Sequence, residues 1–285
     1  MKKFLLGFIF FFSHLAIAEI NETNDLDYIK AKYLTLLEKY KPGQVMVVFG
    51  INNTILYYED APLQLSDDSY KPLMKKIFSQ LKSENSSYLN EVILTNYKTA
   101  LVDPKIPEFI KEIMSNHTPV IAVSSSLTGN LNQIPRLEMW LADYLKKYNI
   151  DFAPSFSGNK DFTFRNLKEY KGTYPSYYNG LLSTNSKYSK AQVLANFLLQ
   201  IKFIPKVIIV VDQDLNAIKA TEQQLKSYNK NIEFVGFHYT ALANHSFEKP
   251  NDQEFINFWY ALIDKVNKAK RNVKPVSLKR DPYAQ

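Results

Sequence analysis

Polar side chains that could hold a phosphate group and a divalent cation follow several apolar runs of this chain. Two are hydroxyls, one is an ammonium group and two are carboxylates: Thr54, Ser124, Lys190, Asp212 and Asp214. In open α/β sheets, ligands bind beyond the carboxyl ends of the strands, so residues at those ends meet at one edge. Hydroxyl and ammonium groups donate hydrogen bonds to phosphate oxygens, and carboxylates are ligands that Mg²⁺ prefers. The spacing therefore predicts one polar pocket built from these five residues.

Each of these residues also fits a purely structural role. A serine directly after a strand, such as Ser124, can cap the helix that follows. Lys190 alone is typical of a surface lysine, and Asp212 and Asp214 fit a helix cap and a turn. Their joint occurrence at the ends of strands and at the start of a helix favours a site. Whether that site is still used stays open at the level of the sequence.

The elements that must position these residues alternate between strand and helix. The continuous apolar run at 45–49 is typical of a strand buried on both faces. Further short apolar runs predict strands at 92–94, 120–123, 207–211 and 232–237. Amphipathic stretches with apolar residues three and four apart predict helices, at 25–40, 70–81, 106–114, 135–148, 190–199, 215–228 and 253–266. This alternation predicts an α/β fold with a doubly wound, mostly parallel sheet.

Two segments, near 57–96 and 152–187, fit the alternation less well, and we predict that they form small inserted cap or lobe segments. In the second segment, Asn179 and Gly180 are a strong short-range signal for a hairpin turn. Its aromatic residues, Tyr177 among them, resemble a carbohydrate-stacking cluster. Aromatic side chains in a hairpin more often form its packing face, so packing is the prediction.

The order of the polar groups resembles the four motifs of the haloacid dehalogenase-like (HAD) superfamily of phosphatases. The first motif of that family is D-x-D-x-T after a strand, and residues 50–54 lie on it. The second motif is a Ser or Thr, matched by Ser124, and the third is a Lys that opens a helix, matched by Lys190. The fourth is an acidic pair, matched by Asp212 and, one place displaced, Asp214. The resemblance implies a HAD-like α/β core and, within the superfamily, a group of secreted bacterial members.

The chain departs from the family at the two residues that carry the chemistry. The resemblance runs from about residue 45 to 237, yet Gly50 stands where the family has its nucleophilic aspartate. Asn52 replaces the second aspartate, a general acid and base of a kind worth about 10²- to 10⁴-fold in rate. An amide has no titratable proton near neutral pH, and glycine cannot accept a phosphoryl group. Gln213 also replaces an acidic residue that the family often has, so the resemblance implies a degenerate phosphatase.

These departures predict an exported binding or interaction protein without phosphatase turnover. The ligand expected is a phosphorylated or anionic small molecule, held by Thr54, Ser124 and Lys190, or else a protein partner. Mg²⁺ is the one cofactor expected, weakly bound at Asp212 and Asp214 because the first carboxylate is missing. The alternative is a metal-dependent phosphohydrolase in which one of these aspartates holds a metal that activates water. A third hypothesis is an exported factor that acts on a host or neighbouring cell.

The ends of the chain predict export. Residues 1–18 combine two lysines, a nine-residue apolar run and a small-x-small site, which is typical of a signal peptide. A membrane helix needs about 20 apolar residues, so no stable anchor is expected after cleavage, and the destination is the periplasm or the medium. Residues 19–265 are predicted to form the HAD-like domain, and residues 266–285 a basic flexible tail. Basic and acidic residues are interspersed elsewhere, so nucleic acid is not an expected partner. The chain has no cysteine, which excludes disulfides and thiolate metal sites.

Overall fold

A mixed β-sheet flanked by helices forms the centre of the molecule. The computed structural model describes residues 18–64, 70–79, 81, 85–159, 161–246 and 248–271. The strands are Ala18–Thr23 (β1), Val45–Gly50 (β2), Leu56–Tyr58 (β3), Thr99–Leu101 (β4), Val120–Ser124 (β5), Asp161–Thr163 (β6), Ser176–Tyr178 (β7), Leu181–Ser183 (β8), Val207–Asp212 (β9) and Glu233–Tyr239 (β10). The helices are Leu26–Lys39 (α1), Lys71–Phe78 (α2), Ser86–Asn96 (α3), Ile106–Ser115 (α4), Leu137–Lys146 (α5), Lys190–Gln200 (α6), Leu215–Tyr228 (α7) and Asp252–Arg271 (α8).

The central sheet has the strand order β1-β10-β9-β2-β5-β8-β7-β6. Its first six strands pair in parallel, and β7 and β6 add an antiparallel edge. The three strands at the centre, β2, β5 and β9, are buried along their whole length. Such strands need helices on both faces to cover them. The predicted α/β class and the mostly parallel sheet are therefore confirmed.

Two hydrophobic cores lie on opposite faces of this sheet. Along β2, Val47 and Phe49 belong to the core covered by α1, α4 and α5, whereas Met46 and Val48 belong to the core covered by α6 and α7. This alternation follows from the strand geometry, in which successive side chains point to opposite faces. Because both faces are covered, polar side chains gather at the carboxyl ends of the strands, where the site was predicted.

A third, smaller core lies apart from the sheet and joins the first inserted segment to the end of the chain. The segment leaves the sheet through β3 and returns through β4, which pair with each other in a small antiparallel sheet. Its helices α2 and α3 pack on α8, with Trp259 and Val266 of α8 buried in the contact. We call α2, α3 and α8 together the cap. The chain thus uses its last helix to complete an insertion made near its start.

Three sequence predictions about elements need correction. The run 92–94 is not a strand, because it lies within α3 and faces the core of the cap. The second inserted segment is not a separate lobe, because β8 pairs in parallel with β5 and so extends the central sheet. Residues 266–271 do not belong to a tail, because α8 continues to Arg271 and buries Val266. The rest of the predicted tail, residues 272–285, lies outside the described residues.

Other predictions about elements are confirmed or lie outside the description. The hairpin at Asn179 and Gly180 joins β7 to β8, and Tyr177 packs fully buried against Phe162 and Phe197. The predicted signal peptide, apart from its last residue, lies outside the described residues. Within the described ranges, no helix is both long and apolar enough to cross a membrane.

Candidate functional site

The loop after β2 carries the first motif and is fixed to the loop after β9. Thr54 is fully buried, and its hydroxyl accepts a hydrogen bond from the backbone N–H of Gln213 at 3.0 Å. Asn53 has a φ of 58° and donates its N–H to the carbonyl of Leu56, which closes the turn. Asparagine tolerates this left-handed conformation better than most residues do. Thr54, which was predicted to bind a ligand, therefore holds the loops after β2 and β9 together.

Lys190 and Asp212 form an ion pair at the carboxyl edge of the sheet. The ammonium nitrogen of Lys190 lies 2.6 Å from Oδ2 of Asp212, and both side chains are largely buried. Lys190 is the first residue of α6, where Ser189 caps the helix and Gln192 completes a capping box. Asp212 is the last residue of β9. The third and fourth motifs, 22 positions apart in sequence, thus contact each other directly.

Gly50 is the residue that gives this ion pair its space. A Cβ atom at position 50 would lie 2.5 Å from Oδ2 and 2.7 Å from Cγ of Asp212. Real side chains do not approach so closely, so any residue with a Cβ here would force the carboxylate to move. The carboxylate of Asp212 therefore borders the space that a side chain at position 50 would enter.

Asp214 has the helix-capping role that the structural alternative described, whereas Ser124 does not cap a helix, because the next helix begins only at Leu137. Asp214 caps α7, and its Oδ1 accepts hydrogen bonds from the backbone N–H groups of Asn216 and Ala217. The hydroxyl of Ser124 accepts a hydrogen bond from the N–H of Ser126 at 3.1 Å. Both roles are typical of short polar side chains that follow a strand. Neither role removes the side chain from the edge of the pocket.

The acidic pair does not fit a Mg²⁺ site in this arrangement. Oδ2 of Asp212 contacts the ammonium group of Lys190, and its Oδ1 accepts the N–H of Asp214. Oδ1 of Asp214 is engaged at the start of α7. Mg²⁺ needs oxygens free to complete an octahedron, and a neighbouring ammonium group repels it. In the part of the chain that the structure describes, no three His, Asp or Glu side chains are grouped as metal ligands.

A cavity of about 370 Å³ opens above the ion pair, between the carboxyl edge of the sheet and the first inserted segment. A second cavity of about 240 Å³ adjoins it and shares the lining residues Asn52, Tyr58, Leu94, Ser125 and Leu141. We call the two cavities together the cleft. The first alone falls in the size range of small-molecule sites. Of the polar residues predicted from the sequence, Ser124, Lys190, Asp212 and Asp214 line the cleft, whereas Thr54 is buried beneath it.

The comparisons with known proteins place the chain in a family. The family described as protein of unknown function (DUF2608) matches residues 22–270. The chain belongs to this family. It is 36% identical over 282 residues to the uncharacterized protein RC0398 of Rickettsia conorii, covering 96% of this chain and 94% of that protein. It is also 34% identical over 291 residues to an uncharacterized protein of Rickettsia felis, covering 99% and 98% of the two chains. No solved structure matches the chain significantly.

In this DUF2608 protein, the aromatic wall of the cleft is the feature that sequence reasoning missed. Trp140 and Tyr144, one turn apart on α5, stack with their ring centroids 4.8 Å apart. The hydroxyl of Tyr144 lies 2.9 Å from Oγ1 of Thr99, which fixes the ring. Tyr58 completes the wall, and burial raises its pKa to about 12. Apolar residues four apart on a helix normally indicate core packing, so the spacing gave no signal of a site.

The structure therefore brings together all seven positions singled out in the DUF2608 chain. Asp212 lies beside Gly50 and contacts Lys190, Ser124 ends β5, and the other three residues lie in the adjoining loops. The sequence did not predict that the charges of Lys190, in the third motif, and Asp212, in the fourth, neutralise each other. The resemblance to the HAD superfamily stays a prediction.

Proposed function

We propose that this protein is exported and binds a ligand or partner in the cleft without transferring a phosphoryl group. One observation supports the proposal above all others. Residue 50 is a glycine, and the carboxylate of Asp212 lies so close to it that even a Cβ there would come within 2.5 Å of Oδ2. A phosphatase of the HAD type needs a carboxylate at that position to form its covalent intermediate, and here that group is missing.

The other residues of the cleft do not replace the missing nucleophile. Thr54 is fully buried and its hydroxyl is engaged with Gln213, while Ser124 is 4% exposed. A serine or threonine nucleophile requires an adjacent base, and histidine is the usual one. Among the described residues that line the cleft there is no histidine. Asn52 cannot act as a general acid, so the second half of the mechanism is also missing.

What remains is a cleft suited to binding. It is a concave site with an aromatic wall and a polar floor, placed at the carboxyl edge of a parallel sheet, where α/β proteins bind their ligands. Binding needs shape and complementary hydrogen bonds, both of which survive the loss of the catalytic carboxylates. The first inserted segment closes one side of this cleft with Leu63 and Leu94.

The experiment that tests this proposal is hydrolysis of p-nitrophenyl phosphate by the purified protein with Mg²⁺, from acidic to neutral pH. We expect no release of p-nitrophenolate above the rate without protein. Asp212→Ala is measured beside it, with Asp264→Ala as the matched control, because Asp264 is exposed on α8 and pairs with Lys268 at the surface. All three proteins are expected to behave alike in this assay.

Turnover in the wild type that disappears in Asp212→Ala but persists in Asp264→Ala would overturn the proposal. It would favour a metal-dependent phosphohydrolase in which Asp212 leaves Lys190 and holds a metal that activates water. Turnover that survives Asp212→Ala would instead point to a contaminating phosphatase.

A further inference from the structure

The charges that line the cleft do not favour an anionic ligand. The charged side chains among the described lining residues are Lys190, Asp212 and Asp214. The ammonium group of Lys190 is paired with Asp212 at 2.6 Å, so its charge is neutralised within the chain and attracts a phosphate less strongly. With one cation and two carboxylates, the formal charge of the lining is −1, which repels a phosphorylated molecule. The carboxylates of Asp212 and Asp214 already accept hydrogen bonds within the chain, so a cationic ligand would gain little binding free energy from them.

The uncharged polar groups of the cleft are hydroxyls and amides. Those that are at least partly exposed come from the loops after β2, β5, β8 and β9 and from α3: Asn52, Asn53, Asn90, Ser125, Ser126, Ser186 and Gln213. A hydroxyl group both donates and accepts a hydrogen bond, and a carboxamide has one donor end and one acceptor end. The hydroxyls of a sugar have the same double character. The lining therefore matches a ligand that carries many neutral hydroxyl groups.

The aromatic wall supplies the second element of such recognition. A pyranose ring has an apolar face of C–H bonds, which packs against the negative face of an aromatic ring. Trp140 and Tyr144 are both half-buried, and their stacked arrangement is held by the bond from Tyr144 to Thr99. A rigid platform lowers the entropic cost of binding, because little has to be ordered when the ligand arrives.

We propose that the cleft binds a neutral saccharide, with the sugar ring against Trp140 and its hydroxyls on the serines and amides of the floor. This inference rests on the proposed function, because it uses the same cleft and names the chemical class of its ligand. It replaces the phosphorylated ligand expected from the sequence by an unphosphorylated one. The reason is that the lysine that would bind phosphate is neutralised within the chain.

The test is isothermal titration calorimetry of the whole purified protein with stated probes. Maltotriose, cellotriose and N,N′,N″-triacetylchitotriose are titrated beside glucose 6-phosphate and inorganic phosphate at equal concentrations. We expect saturable binding of at least one neutral trisaccharide and none of either phosphate. Binding of a phosphate without a neutral sugar, or binding of no probe in the set, would overturn the saccharide inference.

Variants identify the cleft as the place of binding. Trp140→Ala is expected to weaken the sugar about tenfold, which equals about 1.4 kcal/mol and is typical of one aromatic contact. Trp140→Phe keeps an aromatic face and is expected to stay within about threefold of the wild type. Tyr170→Ala removes an exposed aromatic ring that does not line the cleft, and this variant is expected to bind the sugar normally. Equal loss in Trp140→Ala and Tyr170→Ala would mean nonspecific binding and would contradict the inference.

The two proposals fail in different ways. Turnover of p-nitrophenyl phosphate by the wild type, lost in Asp212→Ala, would refute the non-catalytic function whatever the sugars do. Absence of turnover together with absence of sugar binding would refute only the ligand class.

Discussion

Replacing Gly180 with alanine is expected to lower the free energy of unfolding by about 3 kcal/mol or more. Gly180 lies in the turn between β7 and β8 with a φ of +84°, in the left-handed region that costs most residues free energy. A Cβ there would also lie 2.3 Å from Cβ and 2.5 Å from the carbonyl oxygen of Phe152. Phe152 is buried at 3% exposure and its backbone cannot withdraw without disturbing the core. The free-energy cost of the left-handed backbone conformation therefore adds to the cost of the steric contact with Phe152.

Gly172→Ala is the matched control for this substitution. Gly172 has a similar φ of +79°, but nothing lies within 4 Å of its expected Cβ. We expect it to cost only the conformational part, about 1 kcal/mol. Urea denaturation of the two variants and the wild type measures the difference. Equal losses in both variants would show that the contact with Phe152 relaxes and that the steric argument is wrong.

The position of Gly180 links this stability to the cleft. Its carbonyl accepts the N–H of Ala122 at 2.9 Å, which holds the hairpin against β5 two residues before Ser124. The hairpin therefore fixes the end of the strand from which the serines of the cleft follow. Its turn was readable from the sequence, because Asn followed by Gly supplies two residues that adopt positive φ at low cost. That the hairpin extends the central sheet was not readable, because pairing with β5 depends on residues far away in the chain.

The elements predicted well are those whose burial leaves a periodic pattern. The apolar runs of β2, β5 and β9 were correctly predicted as strands, which are covered on both faces, and α7 was predicted with its observed ends. The run 92–94 misled because three apolar residues fit a buried strand and a buried helix equally well. The strand β1 was not predicted, because its first residue was assigned to the signal peptide. Apolar and polar residues also alternate only weakly along it. Its partner β10 supplies the pairing that the local sequence does not predict.

The cap could not be predicted from local patterns at all. The amphipathic pattern of α8 indicates a helix but not its partner, and nothing in sequence order joins residue 259 to an insertion near residue 77. Burial of Trp259 and Val266 against that insertion is a tertiary effect. For the same reason the basic residues Lys265 and Lys268 suggested a tail, although Val266, which lies between them and packs in the core of the cap, is fully buried.

For the candidate site, the sequence predicted which residues meet but not how they are paired. The carboxyl ends of parallel strands bring distant motifs together, which is why Gly50, Lys190 and Asp212 were foreseeable neighbours. Glycine at position 50 was interpreted as the loss of a nucleophile. The structure adds that this loss creates the space into which Asp212 fits. A side-chain ion pair of this kind depends on atomic distances that sequence spacing does not contain.

That ion pair leads to the second large effect, expected for Gly50→Ala. The added methyl group would lie 2.5 Å from Oδ2 of Asp212, so the carboxylate must move away from Lys190. We expect the free energy of unfolding to fall by about 2 to 3 kcal/mol, as in other overpacked cores. Gly43→Ala is the control, because nothing lies within 4 Å of that Cβ, and it is expected to change stability by less than about 0.5 kcal/mol.

A double-mutant cycle separates the collision from other costs of the substitution. In an Asp212→Ala background the carboxylate is gone, so Gly50→Ala should cost less than about 1 kcal/mol. If it still costs as much as in the wild type, the neighbour of Gly50 in solution is not Asp212.

The same geometry predicts that Gly50→Asp together with Asn52→Asp does not produce hydrolysis of p-nitrophenyl phosphate. The new carboxylate would meet that of Asp212 in one space, and Lys190 cannot neutralise both charges. Recovery of catalysis would require the site to rearrange around the added side chain, and measurable turnover in that variant would contradict the structural reason given for its loss.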